Sequence, residues 1–262
     1  ALKVTTGYPT LDDALEGGVD RGELIEFLGL YSSGKTSLLV GVVRGQLLHR
    51  YRPLVVTNEV APRRWAARVD RAITGKTRQE ILQNPRRYVR MIQRLKQATG
   101  RMIIKGFPTG TATVADVEAL MVRLRDEEGF TPDSLIVDYA GEMRSERYPQ
   151  DFRLGIIDIF RGLRAIGQKW GIPVFTAGQT DAAAEGKEIV GGRNQSEAKG
   201  INAVIDVGIS ISQTLEEAAR VPPECRLTSF KVREGGRFPP LPFVFMIDRG
   251  VIVPAGSAGV RP

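Results

Sequence analysis

Apolar residues recur along this chain in two alternating textures. Short, almost unbroken runs stand at Leu24-Ile25-Glu26-Phe27-Leu28, Leu54-Val55-Val56-Thr57-Asn58, Met102-Ile103-Ile104-Lys105, Leu135-Ile136-Val137-Asp138 and Pro173 to Gln179. Runs this short, without strict two-residue alternation, predict strands covered on both faces. Between them apolar positions return every three or four residues, as in Trp65, Val69 and Ile73 or in Val117, Leu120, Met121 and Leu124. That spacing gathers each set on one face of a helix, here over 62–74 and 113–128. Further helices are predicted from Ser37 to about His49, over the basic stretch 76–100, and over 152–170. Strand and helix in alternation predict a twisted, mostly parallel sheet between helical layers.

The ends of the chain read differently. Thr10 is a predicted helix N-cap, with Asp13 completing a capping pattern and Gly17-Gly18 ending the short helix. Late in the chain, strand-like runs at Val204 to Ile211 and Arg226 to Lys231 precede a hairpin, Phe243 to Ile247 and Gly250 to Val253, around Asp248-Arg249-Gly250. The expected fold class is therefore α/β, a three-layer mostly parallel sheet with a C-terminal antiparallel hairpin. With no repeat and no linker, residues 1–254 are expected to form one domain and residues 255–262 a disordered tail.

Composition narrows the chemistry. Hydrophobic residues make up 42% of the 262, enough for a substantial core. One cysteine, Cys225, excludes an internal disulfide and a cysteine-only metal site, and the single histidine, His49, argues against a histidine zinc site. No segment approaches the ~18 apolar residues of a membrane span. No membrane partner is expected, and the sequence predicts a soluble cytoplasmic protein. The net charge of +7 permits a polyanionic partner without requiring one.

The sharpest motif is Gly29-Leu30-Tyr31-Ser32-Ser33-Gly34-Lys35-Thr36, which fits G-x-x-x-x-G-K-[ST] at every fixed position. A chance glycine turn carrying a lysine needs no strand before it and no helix after it; this one has both. Backbone N–H groups of such a loop (Gly29, Ser32, Ser33, Gly34 and on into Ser37) converge on phosphate oxygens. Lys35 would reach the β- and γ-phosphates, and the Thr36 hydroxyl would sit on Mg2+. The expected cofactors are ATP and Mg2+. Asp138 ends an apolar strand downstream and is expected to hold the metal through its water shell. Glu59, at the tip of another strand, reads equally as a water-activating base or as a solvated strand end. Gln179 ends a third strand, where an amide can sense a γ-phosphate. Two loops carry polyanion-facing candidates: 141–151 with Arg144, Arg147 and Tyr148, and 180–200 with Arg193 and Lys199. The first is expected to be mobile and the second flexible.

In order, these motifs resemble those of RecA-superfamily ATPases, and most closely the C-terminal motor domain of DnaB-type hexameric replicative helicases. The resemblance covers nearly the whole chain. It takes in Thr6-Gly7-Tyr8-Pro9-Thr10-Leu11-Asp12 with Arg21-Gly22-Glu23-Leu24, then Asn58-Glu59-Val60-Ala61-Pro62, Ile136-Val137-Asp138-Tyr139, and Gly171-Ile172-Pro173-Val174 leading to Gln179. It continues through Ser196 to Ile201, Ala203-Val204-Ile205-Asp206, and Lys231-x-Arg233-x-Gly235. The resemblance implies that Glu59 is the catalytic base. It also implies that Lys231 and Arg233 reach into a neighbouring subunit's ATP site, with Arg237 a second candidate. Its further implications are a homo-oligomeric ring of the hexameric kind, single-stranded DNA in contact with Arg144, Arg147, Arg193 and Lys199, and association with replication proteins in a bacterial or phage-infected cell. The family's helical N-terminal domain, which collars the ring and binds primase, has no counterpart in these residues. The expectation is either an excised motor domain or a natural single-domain relative. A filament-forming recombinase and an ATPase using nucleotide as an assembly switch are the alternatives.

Overall fold

The structure, a computed structural model, describes residues 3–180, 186–192 and 198–256, without the side chains of residues 198 and 199. Among the described residues, nine strands form one sheet in the order β3-β2-β4-β5-β1-β6-β7-β8-β9. The parallel part consists of β1 (Leu24–Gly29), β2 (Pro53–Thr57), β3 (Ile103–Gly106), β4 (Ser134–Asp138), β5 (Val174–Gln179) and β6 (Val207–Ser212). The antiparallel part adds β7 (Glu224–Val232), β8 (Leu241–Met246) and β9 (Val251–Pro254).

Side-chain alternation splits the core between the two faces of the sheet. Ile25, Phe27, Val55, Ile136 and Phe175 point to one side, onto α2 (Lys35–Leu48) and α3 (Pro62–Thr74). Leu24, Leu54, Val56, Leu135, Val137 and Val174 point to the other, onto α6 (Val114–Glu128), α7 (Phe152–Trp170) and α8 (Ala198–Val204). Each fully buried side chain of this size contributes roughly 1.5–3 kcal/mol, which is why the central strands carry so few polar positions. The β8–β9 hairpin folds over the same face as α2, with Phe243 and Ile252 buried against it.

Several local expectations are corrected. The opening helix α1 runs Pro9–Ala14 with Tyr8 at its N-cap, so Thr10 caps nothing. Proline at the first position accounts for the earlier start. The acidic side chain that matters there is Asp12, which accepts from the Thr6 backbone N–H at 2.7 Å and so folds the N-terminal segment over the helix. The basic stretch 76–100 is two helices, α4 (Arg78–Gln83) and α5 (Pro85–Ala98), because Asn84-Pro85 breaks the first and Asn84 caps the second. Val204 ends helix α8 instead of opening a strand, and β6 begins at Val207. The short helix α9 (Leu215–Ala218), with a Thr214–Glu217 capping box, escaped the sequence reading. Of the tail, Ala255 and Gly256 form a turn, the Ala255 N–H donating to Pro242 O at 2.9 Å. Residues 257–262 lie outside the described residues.

Candidate nucleotide site

The glycine loop is built by close approach. A side-chain carbon on Gly29 would stand 2.4 Å from Ser33 Oγ, and one on Gly34 would stand 2.3 Å from the Phe245 ring. Gly34 also has φ of +88°, and it occupies the N-cap of α2, where a side-chain oxygen would otherwise accept from the first-turn N–H groups. Glycine supplies none. The α2 N-terminus therefore presents N–H groups without side-chain partners, and the helix dipole adds positive charge.

Lys35, on the first turn of α2, folds back over the loop. Its Nζ donates to Gly29 O at 3.0 Å and Leu30 O at 2.6 Å. Burial lowers its pKa to about 8, opposed by the negative charges of Glu59 and Asp138. Those two carboxylates occupy neighbouring strand ends. Asp138 is 1% exposed; it accepts from Thr36 Oγ1 at 3.3 Å on one oxygen and from Trp65 Nε1 at 2.8 Å on the other. Burial raises its pKa, and the indole hydrogen bond opposes that rise. The Asn58 N–H donates to Asp138 O at 2.9 Å, so the turn that carries Glu59 is tied to the Asp138 strand.

Glu59 is exposed and faces the cleft, and Gln179 stands in register with Gly29 on the adjoining strand. The cleft measures about 560 Å³. It brings together Ser32, Ser33, Gly34, Lys35, Thr36, Ser37, Glu59 and Gln179, with Asp138 beneath Thr36. The sequence reading left out the other walls. They include Arg68 and Arg71 on α3, Tyr139 after β4, and Phe245, Ile247 and Gly250 of the C-terminal hairpin. Their only sequence signal was the position of the two arginines on the helix that follows Glu59. Trp65, read there as core, is indeed fully buried but also orients Asp138.

Lys231 and Arg233 lie elsewhere. Strand β7 ends beside the first residues of β6, and β6 pairs with the start of β1, so both stand at the opposite end of the sheet from the glycine loop. Lys231 Nζ donates to Asn202 O, and Arg233 Nε pairs with Asp206 at 2.7 Å. Arg237 is exposed beyond them.

Arg144 and Arg147 are exposed in the 143–151 loop, where Arg147 lies 5.3 Å from the Tyr148 ring centre. The loop is pinned at several points. The Arg144 N–H donates to Ala112 O at 2.8 Å, and Ser145 Oγ donates to Asp158 at 2.7 Å. Arg193 lies outside the described residues, and Lys199 belongs to α8 with its side chain outside them.

The donor set fits a triphosphate and a hard cation. A half-buried ammonium, a helix N-terminus and a buried Ser33 hydroxyl without a partner among the described residues face one cleft. The metal-side donors, Thr36 Oγ1 and Asp138, are oxygens. No cluster of three or more histidine, cysteine, aspartate or glutamate residues suited to a metal occurs among the described residues. A Mg2+ held by one or two protein oxygens and the phosphates needs no such cluster. No described helix is long and apolar enough to cross a membrane.

A pH dependence follows from Lys35. The ammonium is the form that attracts phosphate, and burial favours the neutral amine, so nucleotide affinity should weaken as pH rises through about 8. The limiting slope for one proton is about tenfold in Kd per pH unit. Titrating a fluorescent nucleotide across pH would read this, and Lys35→Met should bind weakly with no break. An affinity that stays flat well above pH 8 would count against the lowered pKa.

Residues 3–190 match the family model described as the DnaB-like helicase C-terminal domain. Over 227 residues, 84% of this chain, the sequence is 26% identical to a DnaB-like replicative helicase of enterobacteria phage T4. That match takes in 48% of the phage protein, so the chain spans about half the length of this relative. A solved DnaB-like replicative helicase, described with its interactions with primase, superposes with a TM-score of 0.82 at 14% identity, over 96% of this chain and 61% of that one. A solved ATPase domain superposes with a TM-score of 0.81, also at 14% identity, over 96% of this chain and 91% of that one. The fold is the RecA-like α/β arrangement expected, with its C-terminal strands antiparallel.

Proposed function

The chain belongs to the DnaB-like helicase C-terminal domain family, and on that premise we propose that it is an ATP-driven motor that translocates on single-stranded DNA and separates strands. Residues 1–254 act as one ATPase domain, in the cytoplasm of a bacterial or phage-infected cell. The observation that carries this reading is the convergence of Lys35, Thr36, Asp138, Glu59 and Gln179 on one cleft at the strand ends.

In this reading the α2 N-terminus and Lys35 hold the β- and γ-phosphates, while Thr36 and Asp138 hold Mg2+. The metal, when bound, neutralises charge on the phosphate oxygens. Glu59 takes the proton of the attacking water as the new bond to the γ-phosphorus forms and the bond to ADP breaks. Gln179 contacts the γ-phosphate and reports its loss to the chain that follows. Lys231 and Arg233 act on the site of a neighbouring copy, where Arg233 stabilises charge on the transferred phosphoryl group. Hydrolysis therefore requires assembly, in a ring taken to be hexameric. Arg144, Arg147, Arg193 and Lys199 grip the DNA backbone by charge and read no bases. Replication proteins are the partners this reading supplies.

Two measurements test it together. ATP hydrolysis should rise when single-stranded DNA is added, and electron microscopy with an ATP analogue and DNA should give closed rings. Long helical filaments would favour a recombinase. Hydrolysis indifferent to DNA would favour an assembly switch.

A further inference from the structure

Arg233 is held by one carboxylate and by the end of one helix. Its Nε pairs with Asp206 Oδ1 at 2.7 Å. Its Nη2 lies 3.0 Å from Ala203 O, 3.4 Å from Val204 O and 3.3 Å from Ile205 O, the carbonyls at the C-terminus of α8. Those carbonyls carry the negative end of the helix, so a guanidinium is favoured there. Lys231 is fixed on the same turn through Asn202 O. Arg233 remains 38% exposed, and among the described residues its Nη1 has no hydrogen-bond partner. The fork is thus clamped along one side and open on the other.

Asp206 is itself over-determined. Its carboxylate receives Arg164 of α7 in a two-point pair, Nε to Oδ2 and Nη2 to Oδ1, both at 2.9 Å. The Leu24 N–H donates to Oδ2 at 3.0 Å, and the Asp206 N–H returns a bond to Leu24 O at 2.9 Å. The side chain is only 3% exposed. A buried carboxylate needs compensation from one cation, and Arg164 supplies it. The second cation is surplus to Asp206's own needs, and the arrangement serves Arg233.

We propose that Asp206, braced by Arg164 and Leu24, is the positioning residue for Arg233, setting the aim of its open edge toward the neighbouring copy's nucleotide. This deepens the finger reading of Arg233 given above and rests on it. Pre-organisation has a large lever here, because a displacement of about 1 Å at a transition-state contact costs on the order of a hundredfold in rate.

The test is Asp206→Asn in the full chain. The amide keeps the shape and can still accept from the Leu24 N–H, so the strand junction survives, which thermal unfolding would check. The expected result is a fall in kcat on the order of a hundredfold with KM for ATP within about twofold. Mixing separates positioning from mere damage. Asp206→Asn subunits should regain activity with Glu59→Gln subunits, which lend them an intact finger, and should not regain it with Arg233→Ala subunits. If Asp206→Asn turns over normally while Arg233→Ala is inactive, the positioning role fails and the finger stands. Loss of activity without rescue by Glu59→Gln would place the defect in the subunit's own site and also overturn it. If Arg233→Ala itself turns over normally, the finger reading falls and this inference with it.

Discussion

Arg233→Ala is expected to lower DNA-stimulated hydrolysis by about 10³-fold or more, while nucleotide binding to the isolated subunit is unchanged. The separation follows from geometry. Arg233 stands at the far end of the sheet from its own glycine loop, so its removal leaves Lys35, Thr36 and Asp138 untouched. The fold should tolerate the change, since Arg164 still compensates Asp206 after Arg233 is gone. Arg233→Lys should recover little, because an ammonium cannot hold Asp206 and the α8 carbonyls on one side and present donors on the other. The decisive measurement mixes Arg233→Ala with Glu59→Gln. Each should be inactive alone, and the mixture should regain part of the wild-type rate at interfaces that join an intact Glu59 to an intact Arg233. Normal turnover by Arg233→Ala alone would remove the shared-site mechanism.

Glu59→Gln should reduce hydrolysis by about 10²- to 10⁴-fold and leave ATP bound. Glu59 is exposed at its strand end, so the neutral isostere should change stability by no more than roughly 0.5 kcal/mol. Its loss has a second effect. The Glu59 charge raises the Lys35 pKa, so in Glu59→Gln the ammonium should deprotonate at lower pH than in the wild type. The pH at which nucleotide affinity breaks should move down accordingly, in the same fluorescence titration. A variant that hydrolyses ATP at the wild-type rate would return Glu59 to the bland reading of a solvated strand end.

How much of this was legible in the chain depended on how local each cause is. Strands β1, β2 and β4 could be read because burial on both faces leaves an almost unbroken apolar run, and sequence neighbours alone reveal that. The glycine loop could be read because its close contacts demand fixed residue types at fixed spacings. The helix break at Asn84-Pro85 was equally local, signalled by a capping residue before a proline. The remaining features are long-range. Nothing near Trp65 in sequence announces that its indole reaches Asp138, 73 positions later. The C-terminal hairpin was readable as a hairpin, but not as a wall of the cleft, because that depends on the sheet bringing β9 over α2. Likewise, Lys231-Val232-Arg233 reads as a basic turn until β7 lays it beside Asp206.

The placement of giver and receiver at opposite ends of β1 and its neighbours has a consequence for symmetry. A two-fold dimer is self-complementary: whatever one copy offers, it must receive through the same patch. A finger and a nucleotide loop on opposite ends of the sheet share one such patch only if the patch runs the length of the sheet. In the proposed ring their contact is heterologous, head to tail, and an open chain built by that contact would leave an unused finger at one end and an unused loop at the other. Only closure of the circle, or indefinite growth of a helix, removes these unpaired ends. On the proposed finger reading, a finite linear oligomer built by that contact would always contain one subunit whose ATP site lacks a neighbour's arginine.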